Sequence, residues 1–221
     1  YKFSLFFLLC LSLGSVVTAR SHGAKQFIRY VDPYIGSGGH GHVFVGANVP
    51  FGMVQAGPQN ICKGWDWCSG YHYSDSILIG FSNTHLSGTG CTDLGDVLLM
   101  PFTGDIRTKR GEQNDISGSC AVKYSHKNEA VSPGYYSLVM NSGVKAEMTA
   151  SSRVAFHHYT YPVGTQGRLL INLKEGTGNT SYDTYLKQTD EYTIEGYRFS
   201  HGWAPRHEVY FVLRFKEPIQ T

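Results

Sequence analysis

The order of hydrophobic and polar residues along the chain predicts many short β-strands. Apolar runs recur between Gly, Pro, Asn and Ser residues, several of them alternate, and helical periodicity is nearly absent. The runs that predict strands are 43–45, 53–56, 97–101, 121–126, 135–140, 145–149, 153–159, 168–172, 192–199 and 208–215. Two facing antiparallel sheets would bury the apolar sides of so many strands. The predicted fold is therefore all-β, an antiparallel β-sandwich.

The first part of the chain differs from the rest. Lys2 precedes an apolar run over residues 3–17, and the residues VTA at 17–19 are typical of a cleavage site. The run is too short and too poorly flanked to indicate a membrane span. The predicted organisation is a signal peptide over 1–19, a mature lead over 20–29 and one domain over 30–221. We expect a secreted or periplasmic protein.

Composition excludes one class of partner and leaves two covalent features open. A net charge of +2 with 16% charged residues gives no footprint for nucleic acid. Four cysteines follow the signal peptide: Cys62, Cys68, Cys91 and Cys120. In an exported protein a Cys62–Cys68 disulfide would clamp the loop between them, and small buried thiols are the alternative. Asn179 begins an NTS glycosylation sequon.

The segment from Tyr30 to Asp105 concentrates residue types that bind sugars. It is rich in Gly, His, Tyr and Trp. Aromatic faces pack on the C–H surface of a sugar ring, histidine nitrogens bond hydroxyls, and glycines let the backbone approach closely. No spacing among the acidic residues of this segment forces two carboxylates to flank a bond, as glycoside hydrolysis requires. These acidic residues are interpreted as turn-forming groups.

Long motifs in this segment resemble the N-terminal domain of the exo-acting α-mannosidases of glycoside hydrolase family 92. The matching runs are YVDPYIGSGGHG at 30–41, VPFGMVQ at 49–55, GWDWCSGYHYSD at 64–75, IGFSNTHLSGTG at 79–90, DLGDVLLMP at 93–101 and GWAPRHEVYF at 202–211. The resemblance extends over nearly the whole mature chain. It implies a β-sandwich, in agreement with the strand pattern.

The resemblance also indicates where a sugar would bind. Trp65 matches a family tryptophan that lines the floor of the sugar site at the domain interface. His85 matches a family histidine that shapes the pocket or the domain interface. The candidate substrate-binding residues are Trp65, Trp67, Tyr71, His40, His42 and His85. For each of them a purely structural role is the alternative.

The resemblance implies an enzyme whose chemistry lies outside this chain. The family inverts configuration and depends on calcium, and its acid, its base and most calcium ligands belong to a C-terminal (α/α)6 barrel. We expect this chain to be the N-terminal part of a secreted exo-α-mannosidase that acts on mannose-containing glycans. Its partner would be the C-terminal barrel of the same protein. The commonest linkage preference in the family is for α-1,2-linked mannose. No catalytic or metal-binding residue is assigned to this chain. A non-catalytic carbohydrate-binding module is the alternative.

Overall fold

The computed structural model describes residues 27–220. The chain divides into two compact units, one ending at Tyr30 and one beginning at Val31. In the first, residues 27–30 form a single turn closed by a bond from Tyr30 N to Phe27 O at 3.0 Å. The predicted signal peptide and most of the predicted lead lie outside the described residues. Within 27–220, no helix is both long and apolar enough to cross a membrane.

Fourteen strands and two short 3-10 turns form the described part of the second unit. The strands are β1 (Ala47–Asn48), β2 (Gln55–Gln59), β3 (Ile77–Leu78), β4 (Gly80–Ser82), β5 (Leu98–Thr103), β6 (Val122–Lys123), β7 (Glu129–Ser132), β8 (Tyr135–Val139), β9 (Lys145–Ala150), β10 (Ala155–Thr160), β11 (Gly167–Asn172), β12 (Thr180–Asp190), β13 (Thr193–His201) and β14 (His207–Arg214). The 3-10 turns are Trp65–Trp67 and His126–Asn128.

Two antiparallel sheets enclose the main core. One has the order β1-β2-β4-β5-β11 and the other the order β10-β9-β8-β7. Phe81 and Met100 from the first sheet pack in one buried cluster with Tyr136 and Met148 from the second. Burial alternates along β9, where Ala146 and Met148 face inward, because successive side chains of a strand point to opposite faces. The predicted all-β, antiparallel fold is confirmed.

A third sheet, of order β12-β13-β14, is attached to the sandwich by a buried ion pair. Arg198 of β13 is fully buried, and its Nη1 lies 2.6 Å from Oδ1 of Asp96, in the loop before β5. The same carboxylate accepts hydrogen bonds from Thr84 Oγ1 at 2.6 Å and pairs with His207 Nε2 at 3.0 Å. Strands β3 and β6 form a separate two-stranded ribbon.

The strand predictions fail where apolar residues are buried outside a strand, and where a strand has few buried apolar residues. Residues 43–45 are an extended loop rather than a strand, although Phe44 and Val45 are buried. Strand β12 was not predicted, because nearly all of its side chains are exposed and polar, so apolar alternation is missing. The run 121–126 shrinks to the two residues of β6, and it ends in the turn that begins at His126.

Candidate functional site

The glycine-rich loop that carries His40 and His42 folds back on itself. Gly36 has a φ of +82°, and its carbonyl oxygen accepts a hydrogen bond from Val43 N at 3.0 Å. A Cβ atom on Gly41 would lie 2.1 Å from that carbonyl oxygen, so a side chain cannot fit there without moving the backbone. The turn therefore depends on glycine, and it presents the two histidines on either side of Gly41.

Trp65 presents its indole to solvent beside this loop. The residue is 57% exposed, and its Nε1 donates a hydrogen bond to Gly90 O at 2.8 Å. The His42 ring meets the indole edge to face, with ring centroids 4.1 Å apart, and the His40 ring lies 5.6 Å away. These contacts fix the orientation of the indole while leaving apolar ring surface available to a ligand.

Asp66 lies between the two histidines. Its Oδ1 accepts a hydrogen bond from His40 Nδ1 at 2.6 Å and lies 3.6 Å from His42 Nε2. The hydrogen bond from His40 holds the pKa of Asp66 below its usual range, so the carboxylate is ionised at neutral pH. We refer to Trp65, Asp66, His40 and His42 as the Trp65 cluster.

His42 is the strained member of the Trp65 cluster. Its φ of +56° lies in the left-handed region, which residues other than glycine seldom adopt. The residue is 6% exposed, and among residues 27–220 its buried Nε2 has no hydrogen-bond partner. Backbone strain and an unsatisfied buried nitrogen both cost free energy, and such features gather at functional sites. Because this nitrogen is covered, His42 is placed to orient Trp65 and Asp66 and not to touch a ligand directly.

Trp67 and Tyr71 have structural partners. Trp67 Nε1 donates to Asp75 Oδ2 at 2.8 Å, and its indole stacks on the His72 ring with centroids 4.2 Å apart. Tyr71 is 1% exposed and donates to Glu129 Oε2 at 3.1 Å. Because the core covers the Tyr71 ring, a sugar could touch it only after repacking. We therefore leave Tyr71 out of the candidate site.

His85 is buried and held by its neighbours. Its Nδ1 donates to Gln55 O at 2.8 Å, its Nε2 lies 3.0 Å from Ser82 Oγ, and its ring stacks on Phe44. Burial lowers the pKa of His85 to about 4, so the ring is neutral at pH 7. Its position suits a residue that shapes the protein behind a site, because the ring does not reach the surface.

The sequence matches the profile of the Glycosyl hydrolase family 92 N-terminal domain over residues 30–221. The chain belongs to this family. The resemblance inferred from the motifs is thus confirmed over the predicted domain.

Solved and curated relatives of this family 92 chain are much longer than it is. It is 37% identical to the family GH92 α-mannosidase BT3965 from Bacteroides thetaiotaomicron, solved in complex with mannoimidazole, with a TM-score of 0.84 over 87% of this chain and 25% of that chain. The GH92 family glycosyl hydrolase ccman5 gives 25% identity and a TM-score of 0.74 over 87% and 27%. An uncharacterized secreted glycosidase from Arthroderma benhamiae is 33% identical over 160 residues, which are 69% of this chain and 20% of that protein. The chain spans only 20% to 27% of these relatives.

The cysteines of the described family 92 domain are all free thiols. Cys68 is fully buried and donates from Sγ to Thr89 O at 2.9 Å. Cys62 Sγ instead points to Gly64 O at 3.6 Å. The Cys62–Cys68 disulfide considered from the sequence is not formed in the structure. The alternative of a small buried thiol describes Cys68.

Asn179 is held in a half-buried hydrogen-bond network rather than offered for glycosylation. Its Nδ2 donates to Asp93 Oδ1 at 3.0 Å and to Leu94 O at 2.8 Å, and its Oδ1 accepts from Arg198 Nη2 at 2.6 Å. A glycan on Nδ2 would replace one of the two N–H donors. The geometry therefore disfavours the glycosylation that the sequon suggests.

Sequence reasoning missed the role of Asp96. Asp93 does form a turn, since its Oδ1 accepts from Leu94 N at 2.8 Å, but Asp96 is the buried counter-ion of Arg198. Hydrogen bonds and the Arg198 charge outweigh burial and hold the pKa of Asp96 below its usual range. A signal existed in the sequence, because Arg198 occupies an inward position of a strand where an apolar residue is expected.

Proposed function

We propose that this chain is the N-terminal part of a secreted, calcium-dependent, inverting exo-α-mannosidase that removes terminal mannose from glycans, with α-1,2 linkages preferred. The described domain forms one wall of the sugar pocket, and an (α/α)6 barrel elsewhere in the protein performs the chemistry. Family membership and the α-mannosidase among its relatives support the substrate class. The name of the Arthroderma benhamiae relative supports secretion.

The Trp65 cluster is the observation that carries the proposal. The open indole surface of Trp65 suits the C–H face of mannose, and stacking contributes about 1 kcal/mol by analogy with aromatic pairs. Beside it, the Asp66 carboxylate accepts hydrogen bonds from hydroxyls, and the buried His42 ring packs against the indole and holds its orientation. The exposed ring of His40 completes the rim. A flat apolar surface edged by polar groups is complementary to a single sugar ring.

The proposal assigns the acid, the base and calcium to the barrel. Inverting hydrolysis needs two carboxyl groups roughly 6.5–9.5 Å apart, one on each side of the glycosidic bond. In the described chain Asp75, Asp93 and Asp96 are buried and engaged by hydrogen bonds. Among residues 27–220, no group of three or more His, Cys, Asp or Glu side chains is placed to hold a metal ion. These residues do not fit a calcium site by themselves.

The test uses the full-length product of this gene. The protein is incubated with α-1,2-mannobiose and calcium, then with a chelator, while NMR follows the anomeric signal of the released sugar. Release of β-mannose that stops on chelation supports the proposal in full. A folded protein that releases nothing from α-1,2-, α-1,3-, α-1,4- or α-1,6-linked mannosides contradicts it and favours the carbohydrate-binding module.

A pair of variants tests the wall itself. Trp65→Ala removes the stacking surface, and we expect kcat/KM of the full-length enzyme to fall about tenfold, which corresponds to a loss of roughly 1.4 kcal/mol. Phe156→Ala is the matched control, because Phe156 is an aromatic residue with 65% exposure on β10. Equal activity of the two variants would remove Trp65 from the proposed pocket.

A further inference from the structure

One face of the third sheet carries a cross-strand row of aromatic side chains. Tyr197 of β13 lies opposite both Tyr185 of β12 and Tyr210 of β14. Phe199 lies next to the row on the same face, and its ring centroid is 4.4 Å from that of Tyr197. Val212 of β14 continues the apolar surface. We call these five residues the aromatic face.

The aromatic face is open to solvent. Tyr210 is 69% exposed, Val212 65% and Tyr185 43%. Its three tyrosines line a depression of about 430 Å³ together with Val212. A contiguous exposed apolar patch on a soluble domain marks an interaction surface.

On the other face of the same sheet, the central strand β13 is buried. Ile194, Arg198 and Ser200 alternate with the aromatic positions of β13, and all three are buried. The Arg198–Asp96 ion pair holds this buried side in place. The aromatic face is therefore presented on a fixed support.

The ring geometry distinguishes between two kinds of occupant. The Tyr185 and Tyr197 rings are inclined by 15°, the Tyr197 and Phe199 rings by 22°, and both pairs are stacked. Tyr197 thus stacks with two neighbours, so less of its flat surface is open to a ligand, and Tyr210 meets the Phe199 ring edge to face. A sugar needs an open ring face, whereas ring edges and Val212 pack well against the apolar side chains of a polypeptide.

We infer that the aromatic face is the docking surface for the polypeptide that longer family 92 proteins carry beyond the region matched here. This inference rests on the proposed function, in which the chain is one part of a longer enzyme. The relatives supply the length for such an occupant, because the matched region covers 25% and 27% of the two solved chains. The Trp65 cluster then meets the barrel at the sugar pocket, and the aromatic face provides apolar area to hold the two parts together.

Hydroxyl-radical footprinting of the full-length gene product tests this inference without any substrate turnover. Oxidation of Tyr210 is compared with that of Phe156, since the two are exposed to similar extents in this domain, at 69% and 65%. Each rate is normalised to the urea-unfolded protein. We expect Tyr210 to be oxidised several-fold more slowly than Phe156 in the folded full-length protein. Equal rates, or a reading frame that ends at Thr221, would overturn the inference.

A variant pair and a ligand control complete the test. Tyr210→Asp should raise the oxidation of Val212 and Tyr185 and expose the region beyond Thr221 to protease, whereas Phe156→Asp should leave both unchanged. If soluble manno-oligosaccharide, and not the intact polypeptide, protects Tyr210, the face binds glycans and the inference is wrong. A protein with a protected aromatic face and no mannosidase activity would contradict only the proposed function.

Discussion

At the scale of residues, hydrogen-bond acceptors that are distant in sequence determine which aromatic side chains face solvent. Trp65 is oriented by Gly90 O, whereas Tyr71 is drawn inward by the carboxylate of Glu129. Composition and motif were sufficient to locate the aromatic- and histidine-rich segment. They could not separate an exposed ring from a buried one, because Gly90 and Glu129 are distant in sequence. The strain of His42 also depends on a loop closure that the sequence shows only as a run of glycines.

The cysteines allow a prediction at this scale. Burial raises the pKa of both Cys68 and Cys120, which keeps their thiols protonated and slow to react. Cys62 and Cys91 are only half-buried. With iodoacetamide at pH 8, we expect peptide mass spectrometry to show labelling of Cys62 and Cys91 in the native protein, and of Cys68 and Cys120 only after denaturation.

Two outcomes of the labelling experiment would contradict this prediction. A peptide pair joined through Cys62 and Cys68 before any reductant is added would restore the disulfide that the sequence suggested. Equal native labelling of Cys68 and Cys62 would contradict the burial of Cys68.

At the scale of elements, sequence patterns predicted the strands that bury one side. The inward positions of β9 and β13 alternate as expected. Strand β12 could not be found in this way, because its place is set by backbone pairing with β13 and not by burial of its own side chains. The same limit applies to 43–45, where apolar residues are buried in a loop that pairs with no strand.

The loop that carries the two histidines makes a prediction with a matched control. In Gly41→Ala the new Cβ would meet Gly36 O at 2.1 Å, so the backbone must shift, whereas in Gly38→Ala the nearest contact is an ordinary 3.5 Å to Tyr73. We expect Gly41→Ala to lower the free energy of unfolding by about 1–3 kcal/mol and Gly38→Ala to change it by less than about 0.5 kcal/mol. Urea titration checks both, and equal values would contradict the described loop geometry.

The attachment of the third sheet makes a second prediction. Asp96→Asn leaves the buried Arg198 without its counter-ion, and we expect a loss of about 3–5 kcal/mol in the free energy of unfolding. Arg198→Met in the same background removes the unpaired charge. The double variant should therefore be more stable than Asp96→Asn alone, as measured by urea titration. An additive double variant would show that the two side chains do not interact.

At the scale of the whole molecule, the described domain combines a closed core with aromatic side chains that face solvent. The core lies between two sheets, whereas Trp65 and the aromatic face are open to solvent. The sequence motifs identified the family to which this domain belongs. They could not indicate the aromatic face, which arises from the register of three strands.

The pH dependence of stability is also a property of the whole molecule. Burial lowers the pKa of His85 and of His157 to about 4, while an unfolded histidine titrates near 6.5. As the pH falls below 6.5, these two histidines become protonated in the unfolded chain but stay neutral in the folded chain. The free energy of unfolding therefore decreases until about pH 4. Each histidine contributes a loss of roughly 3 kcal/mol. We therefore expect the free energy of unfolding to fall as the pH is lowered from 6.5 to 4.

Variants of the neighbouring residues His157 and His158 separate the contribution of one lowered pKa from the pH dependence of the rest of the protein. Asp96 raises the pKa of His207, so the stability from that pair is already complete below pH 6.5 and does not change between pH 6.5 and pH 4. His157→Gln removes one of the two rings whose pKa is lowered, while His158→Gln alters its exposed neighbour on the opposite face of β10. Urea titrations at pH 6.5, 5.5 and 4.5 should show the decline in unfolding free energy reduced by about half in His157→Gln and unchanged in His158→Gln. The same decline in both variants would mean that the His157 ring is protonated in the folded protein, because only a neutral ring couples folding to pH in this range.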